Sequence, residues 1–371
     1  MTLLEIDNLE TRYRTENEED VHAVNGVSLE LHRNETLGLV GESGCGKTTL
    51  AKSLIKLLPR NGRIEDGEVR FKGEDITEYS KKEMRTKIRW TEISMIPQSA
   101  MNALDPVHTV ADQIVQAIRT HEPETSKKEA RERAKDLFER LGMEPNRIDD
   151  YPHQFSGGMA QRGMIALALA VSPSIVLADE PTTALDVVIQ DRILRMVQDL
   201  QDDIDSSMIM VTHDMSVVSE TCDRIAVMYG GRAIEVADSD TIIADPRHPY
   251  TLGLRNAFPD ISKDGQDLIS IPGSPPELIE PAEGCKFAPR CPFAEEECYE
   301  TTPEPREFEE GHFVECHRAD EKEFLQREAA KRETWMEMAD ETDTDADFDT
   351  VAATDGGDET TTGSTEVNKN D

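Results

Sequence analysis

Short apolar runs bounded by charged residues punctuate the chain. Residues 2–9 and 27–31 read as strands, and ETLGLV at 35–40 feeds directly into a glycine-rich loop and then a helix at 48–57. From about 80 to 155 the chain is charged. Helical periodicity is clearest at 126–141, where Ser126 stands three residues before Glu129 as in a capping box, so the segment predicts a helical insertion. A regular alternation follows: a helix at 160–171, the strand IVLA at 175–178, a helix at 186–201, the strand MIMV at 208–211, a helix at 215–222 and the strand RIAVMY at 224–229. Strands alternating with helices predict an α/β fold with a mostly parallel core sheet. Beyond about 245 the pattern gives way to Pro-rich loops carrying four cysteines, and beyond about 337 almost nothing apolar remains, which predicts a disordered acidic tail.

With 371 residues the chain is long enough for two or three domains. No stretch approaches the ~18 consecutive apolar residues of a membrane span, and MTLLEIDNLE lacks the basic and apolar regions of a signal peptide, so a soluble cytoplasmic protein is expected. The formal charge is −36, and the tail is not its sole source: residues 337–371 hold twelve acids and one base, leaving 64 acids against 39 bases elsewhere. Such a surface disfavours nucleic-acid binding, which draws its affinity from Lys and Arg. It is the bias expected of a salt-loving archaeal source, the alternative being an ordinary acidic protein with an acidic tail.

Residues 41–48, GESGCGKT, satisfy G-x-x-x-x-G-K-[ST] between a strand and a helix. Gly41, Gly44 and Gly46 let the backbone, with Glu42, Ser43 and Cys45 between them, curl around a β-phosphate. Lys47 reaches the β/γ oxygens, Thr48 can ligate magnesium and Thr49 adds a hydroxyl toward the α-phosphate. Cys45 lies near Lys47 and a helix start, both of which lower a thiol pKa, so a reactive thiol is expected. The apolar strand 175–178 delivers Asp179 and Glu180 to its C-terminal edge, where open α/β sheets bind ligands: Asp179 as a magnesium-supporting acid, Glu180 as general base toward an attacking water. His213 ends another such strand. FSGGM at 155–159 poses a separate question, because Ser156, Gly157 and Gly158 open a helix and form a second anion site more than a hundred residues from the first.

GESGCGKT, Gln98 in MIPQS, FSGGM, IVLADEP, the ALD at 184–186 and VTHD at 211–214 stand in the order and spacing of an ABC-transporter nucleotide-binding domain, which residues 1–245 therefore resemble. The resemblance implies an antiparallel β subdomain beside the core sheet and a helical subdomain at about 80–165. It implies ATP hydrolysis with magnesium held by Thr48, Gln98 and Asp179, with Gln98 also sensing the membrane partner, Glu180 as base and His213 as γ-phosphate switch. Tyr13 falls where such domains stack an aromatic on adenine, though a lone Tyr near a strand fits a core equally well. The family's domains pack head to tail, so Ser156, Gly157, Gly158, Met159 and Asp186 would serve ATP held by the partner's loop. Phe155 and Met159 depart from the commonest LSGGQ signature.

That departure, HPYTLGL at 248–254, IPGSPPEL at 271–278 and the following CKFAPRCPFAEEEC are similar to the oligopeptide/dipeptide importer branch, whose C-terminal extension would occupy 246–320. Cys285, Cys291, Cys298 and Cys316 are spaced by five, six and seventeen residues, and spacing alone names no ligand. Disulfides are not expected in a reducing cytoplasm. The resemblance implies a [4Fe–4S] cluster, with zinc and free structural cysteines as alternatives. It also implies a second ABC ATPase subunit, a paralogue, two transmembrane permeases, an extracellular substrate-binding protein reached indirectly, and a peripheral location on the cytoplasmic face of the membrane. The competing readings are a soluble ABC ATPase in translation or DNA maintenance, an importer for nickel or sugars, and a partner that binds ATP without hydrolysing it.

Overall fold

The computed structural model describes residues 1–182, 187–257, 269–279 and 283–336. The chain begins with two long strands, β1 (Thr2–Arg14) and β2 (Asp20–His32), before the short buried strand β3 (Thr36–Val40). Both long strands outrun their apolar cores, 2–9 and 27–31. They zip as an antiparallel pair through several bulges, which bend a strand without ending it. Next come β4 (Gly62–Phe71), β5 (Glu74–Asp75), β6 (Ile93–Ile96) and β7 (Ile175–Asp179). Then follow β8 (Ser207–Thr212), β9 (Arg224–Tyr229), β10 (Arg232–Asp238), β11 (Arg306–Glu309) and β12 (His312–Val314).

Two sheets result. One is antiparallel, in the order β2-β1-β4-β5; the other has eight strands in the order β11-β12-β10-β9-β3-β8-β7-β6. From β9 to β6 the large sheet is parallel. Every residue of β3, β7 and β8 is buried, as expected of parallel strands covered on both faces. β10 and β12 then add in antiparallel fashion, with Glu235 opposite Val314. The C-terminal extension is therefore not only loop: β11 and β12 continue the core sheet. A helix at Pro249–Asn256 and another at Lys322–Ala329 add further regular structure to this part of the chain.

A helical lobe rises from the far side of β6. The helix Val110–His121 buries Val110, Ala111, Ile114, Val115 and Ile118 on one stripe, and Lys127–Arg140 answers with Ala130, Ala134, Leu137 and Phe138. Both pack against Gly157–Leu169. Ser126 does cap its helix, accepting from the Glu129 N–H, and the reciprocal capping box lies instead at Ser80 and Glu83. The tail 337–371 and the ALD at 184–186 lie outside the described residues.

Candidate functional site

β3 ends at Val40 and hands the chain to a loop that enters the helix Lys47–Leu54. Gly46 caps that helix at φ 107°, and a Cβ there would stand 2.1 Å from the Ala23 carbonyl oxygen of β2. Gly41, at φ 153°, would meet the Met228 carbonyl oxygen of β9 at 2.2 Å. The loop is thus pressed between two strands, in a conformation that side chains would spoil. The cap has no side chain to satisfy the first helical N–H groups, which leaves them as donors for an anion. Lys47, 5 % exposed, donates from Nζ to the carbonyl oxygens of Gly41 at 2.6 Å and Glu42 at 2.8 Å. The ammonium is held over the loop by acceptors that a phosphate oxygen can replace.

Four adjacent parallel strands deliver the remaining chemistry at one edge. In register, Val40 lies beside Thr212, Val211 beside Asp179, and Ala178 beside Ile96, so the chain leaves β3, β8, β7 and β6 at nearly one level. Thr48 Oγ1 donates to Asp179 Oδ1 at 2.8 Å, which joins the two groups that resemble magnesium ligands. Burial raises the Asp179 pKa, opposed by the Thr48 hydroxyl and by Lys52 and Lys47. A bound cation would reverse that cost. Glu180 stands next in line with φ 47°, a left-handed conformation uncommon for a non-glycine residue. Gln98 Nε2 donates to its Oε2 at 2.7 Å, and His213 Nδ1 lies 3.4 Å from its Oε1. The carboxylate therefore sits between the two residues assigned to sensing and switching. Tyr13 reaches the same helix start, with its hydroxyl 3.1 Å from Thr49 Oγ1.

Ser156, Gly157, Gly158 and Met159 stand elsewhere, at the start of the helix Gly157–Leu169 that packs with the helical lobe. The helix starts at Gly157, with Ser156 as its N-cap accepting from the Met159 N–H at 3.4 Å, and Ser156 and Gly157 are exposed. The second anion-facing helix start thus points into solvent. Asp186 lies outside the described residues.

Cys45 departs from expectation. It is 2 % exposed, and burial raises its thiol pKa despite Lys47 Nζ at 3.6 Å. Lys47 still favours the thiolate, but the cost of desolvating it is larger and sets the direction of the shift.

Cys285, Cys291, Cys298 and Cys316 are free thiols that line one cavity together with His248, Phe287 and Phe293. Burial raises the pKa of Cys285 and Cys291 and pushes Cys316 up to about 12. Among the described residues, no set of three or more His, Cys, Asp or Glu side chains is arranged to hold a metal ion. The four cysteines thus converge on one space without closing on a single ion. Two residues absent from any sequence expectation connect this segment to the phosphate loop: Arg290 pairs with the Glu42 carboxylate, and Tyr250 accepts from the Glu42 N–H. Only their place in HPYTLGL and CKFAPRC marked them, and that pattern says nothing of a contact so distant in sequence.

The fold is that of an ABC ATPase cassette. The profile of the ABC transporter family matches residues 24–183, and that of the oligopeptide/dipeptide transporter C-terminal region matches 234–298. The chain is 46 % identical over 323 residues to a probable peptide ABC transporter ATP-binding protein of Sinorhizobium fredii, covering 86 % of this chain and 96 % of the relative. It is 43 % identical to the oligopeptide transport ATP-binding protein OppD of Bacillus subtilis, covering 84 % and 87 %. The dipeptide transport ATP-binding protein DppD of the same organism is also 43 % identical, with 86 % and 96 % covered. Among solved structures, the dimeric ATP-binding cassette MJ0796 bound to ADP and Pi superimposes with a TM-score of 0.58 at 27 % identity, covering 64 % of this chain and 98 % of that one. The chain belongs to the ATP-binding subunits of the oligopeptide/dipeptide ABC transporter family and is an ATPase of that class. No helix among the described residues is long and apolar enough to cross a membrane.

Proposed function

We propose that this chain hydrolyses ATP to energise an importer of dipeptides or oligopeptides, bound peripherally at the cytoplasmic face of the membrane. Residues 1–245 form the ATPase domain, with about 80–165 as its helical subdomain, and 246–320 form the extension. Lys47 and the loop N–H groups hold the phosphates, Thr48 and Asp179 with Gln98 hold magnesium, and Tyr13 faces the adenine. Glu180 takes the proton of the attacking water, with His213 and Gln98 against its carboxylate; His213 switches on the γ-phosphate and Gln98 senses magnesium and the membrane partner. The observation that carries this reading is the convergence of Lys47, Asp179, Glu180, Gln98 and His213 at the ends of four neighbouring parallel strands.

Ser156, Gly157, Gly158 and Met159 cap the ATP of a second ATPase subunit, a paralogue, packed head to tail; their exposure at a helix start supports this. Two permeases take up the motion through the lobe next to Gln98, and an extracellular binding protein supplies the cargo. Relatives named for peptide and dipeptide transport support the cargo class.

The four cysteines hold an iron–sulfur cluster as a structural staple. Their convergence on one cavity is what supports this reading. When bound, the cluster cross-links a loop-rich segment; no step of hydrolysis passes through it. The deciding experiment for the whole reading is reconstitution of the chain with its paralogue and permeases in vesicles. ATP-dependent uptake of labelled dipeptide, lost with Lys47→Ala, is expected; uptake of nickel or sugar instead would reject the cargo.

A further inference from the structure

Arg290 belongs to the cysteine segment, one position before Cys291, yet its guanidinium is spent on the phosphate loop. Nη1 donates to Glu42 Oε2 at 2.6 Å and Nη2 to Glu42 Oε1 at 2.9 Å, the two-pronged arrangement that makes a guanidinium–carboxylate pair both strong and directional. Arg290 is 5 % exposed. Its other donors reach the Pro272 carbonyl oxygen at 2.8 Å, the Tyr229 hydroxyl at 3.1 Å and the Gly273 carbonyl oxygen at 3.3 Å. One side chain therefore ties the Pro-rich 271–273 stretch and the end of β9 to the loop.

The backbone of Glu42 is fixed from the same side. Its N–H donates to the Tyr250 hydroxyl at 2.9 Å, and the Tyr250 ring packs on Tyr229 and Phe287 with centroids 4.6 Å and 5.3 Å away. Phe287 in turn lines the cysteine cavity. Residues 41 and 42 also supply the two carbonyl oxygens on which Lys47 Nζ rests. Whatever fixes Glu42 thus fixes the starting position of the lysine that must swing to a phosphate. The Arg290–Glu42 pair is partly buried, and such a pair is weak evidence for stability, since desolvation offsets much of what the attraction returns. Its better-attested use is to specify one arrangement among several.

We propose that Arg290 is a positioning residue for the ATP site, setting the phosphate loop through Glu42 and coupling nucleotide binding to the order of the four-cysteine segment. The inference rests on residues 41–48 being the phosphate loop. Coupling of this kind is reciprocal, so ATP binding orders the cysteine segment as much as that segment favours ATP.

The test uses the full-length chain, with affinity for a fluorescent ATP analogue, KM and kcat, thermal midpoint, and hydrogen exchange across 285–316 with and without MgATP. Arg290→Lys keeps the charge and loses the fork, and Glu42→Gln keeps the shape and loses the charge. Each is expected to weaken ATP binding on the order of tenfold, raising KM with a smaller change in kcat, and the double variant is expected to be no weaker than either single one. MgATP is expected to slow exchange across 285–316 in the native chain and not in Arg290→Lys. If Arg290→Lys misfolds by its thermal midpoint, Glu42→Gln carries the same test from the loop side. Native affinity in Glu42→Gln, multiplying effects in the double variant, or exchange indifferent to MgATP would each overturn the proposal. Lys47→Ala separates the two levels: retained ATP binding in that variant removes the phosphate-loop reading itself. Lost binding there beside native affinity in Glu42→Gln removes this inference alone.

Discussion

Two glycine-bearing helix starts stand out among the described residues, and they differ in everything around them. The start at Gly46–Lys47 is sunk between β2 and β9, capped by a glycine, and ringed by a cation, two carboxylates, an amide and an imidazole. The start at Ser156–Gly157 is exposed and capped by its own serine, on a different lobe. An anion at the first is met by a preorganised shell. An anion at the second meets a donor surface and nothing to do chemistry on it. The difference is that between the half of a site that holds the nucleotide and the half that closes over it, and it is why a second subunit belongs in the proposed mechanism.

The largest expected effect breaks the nucleotide-holding half while sparing its binding. Glu180→Gln keeps the volume and the contact with Gln98 but removes the base, which typically contributes ~10²–10⁴ in rate. Hydrolysis should fall by that order with ATP affinity retained, and the protein should accumulate as a nucleotide-bound dimer in size-exclusion chromatography. Turnover within a few-fold of native would show that the Glu180 carboxylate serves another purpose.

The closing half is broken in trans. Ser156→Arg places a bulky cation where a helix start and a hydroxyl should meet the γ-phosphate, and removing a donor of this kind costs about 10²–10³ in rate. In a mixed dimer the mutant chain should still bind ATP at its own 41–48 loop, while turnover fails at the site built on the partner's loop. Trapping of the loss at the mutant's own loop would put both helix starts in one site and dissolve the contrast.

The same contrast explains what could be read in advance. The phosphate loop and the Asp179–Glu180 pair were legible because each is a local run: a glycine pattern after an apolar strand, and two acids at the end of another. Gln98 and His213 carry little signal alone and entered through resemblance. β4 stayed hidden because GRIEDGEVRF is charged, and its pairing with β1 is settled by long-range packing instead of propensity. The two extra strands of the extension were hidden for the same reason, since β12 is only three residues long and gains its place from β10. Arg290 was beyond reach, because its partner Glu42 lies 248 residues away and no periodicity encodes such a contact.

A third region sharpens the comparison by being neither anion site. Anaerobically purified protein should be brown with about four iron atoms per chain, as a four-thiolate cluster requires. Cys291→Ser should lose the colour and speed hydrogen exchange across 285–316, while the core strands β3, β7 and β8 keep their protection. Stoichiometric zinc without iron would replace the cluster with a single ion. Loss of protection in the core strands would mean that the extension supports the whole fold through β11 and β12.

The smallest expected effect concerns Cys45, the thiol inside the phosphate loop. Its thiol touches the loop from inside: a Cβ on Gly41 would lie 3.0 Å from its Sγ, and Lys47 Nζ is 3.6 Å away. A thiol reacts as thiolate, and burial here leaves a smaller thiolate fraction than a free cysteine has, with little room for a reagent. Maleimide labelling of Cys45 in the folded protein, followed by mass spectrometry, should therefore run slower than in urea on the order of tenfold or more. Cys45→Ala should retain ATPase activity and lose only about 1 kcal/mol of stability, the scale of a small buried apolar group. Rapid labelling that MgATP blocks would show that the loop opens far enough to expose its underside, and the rigid shell that distinguishes the first helix start from the second would then be a property of the nucleotide-bound state alone.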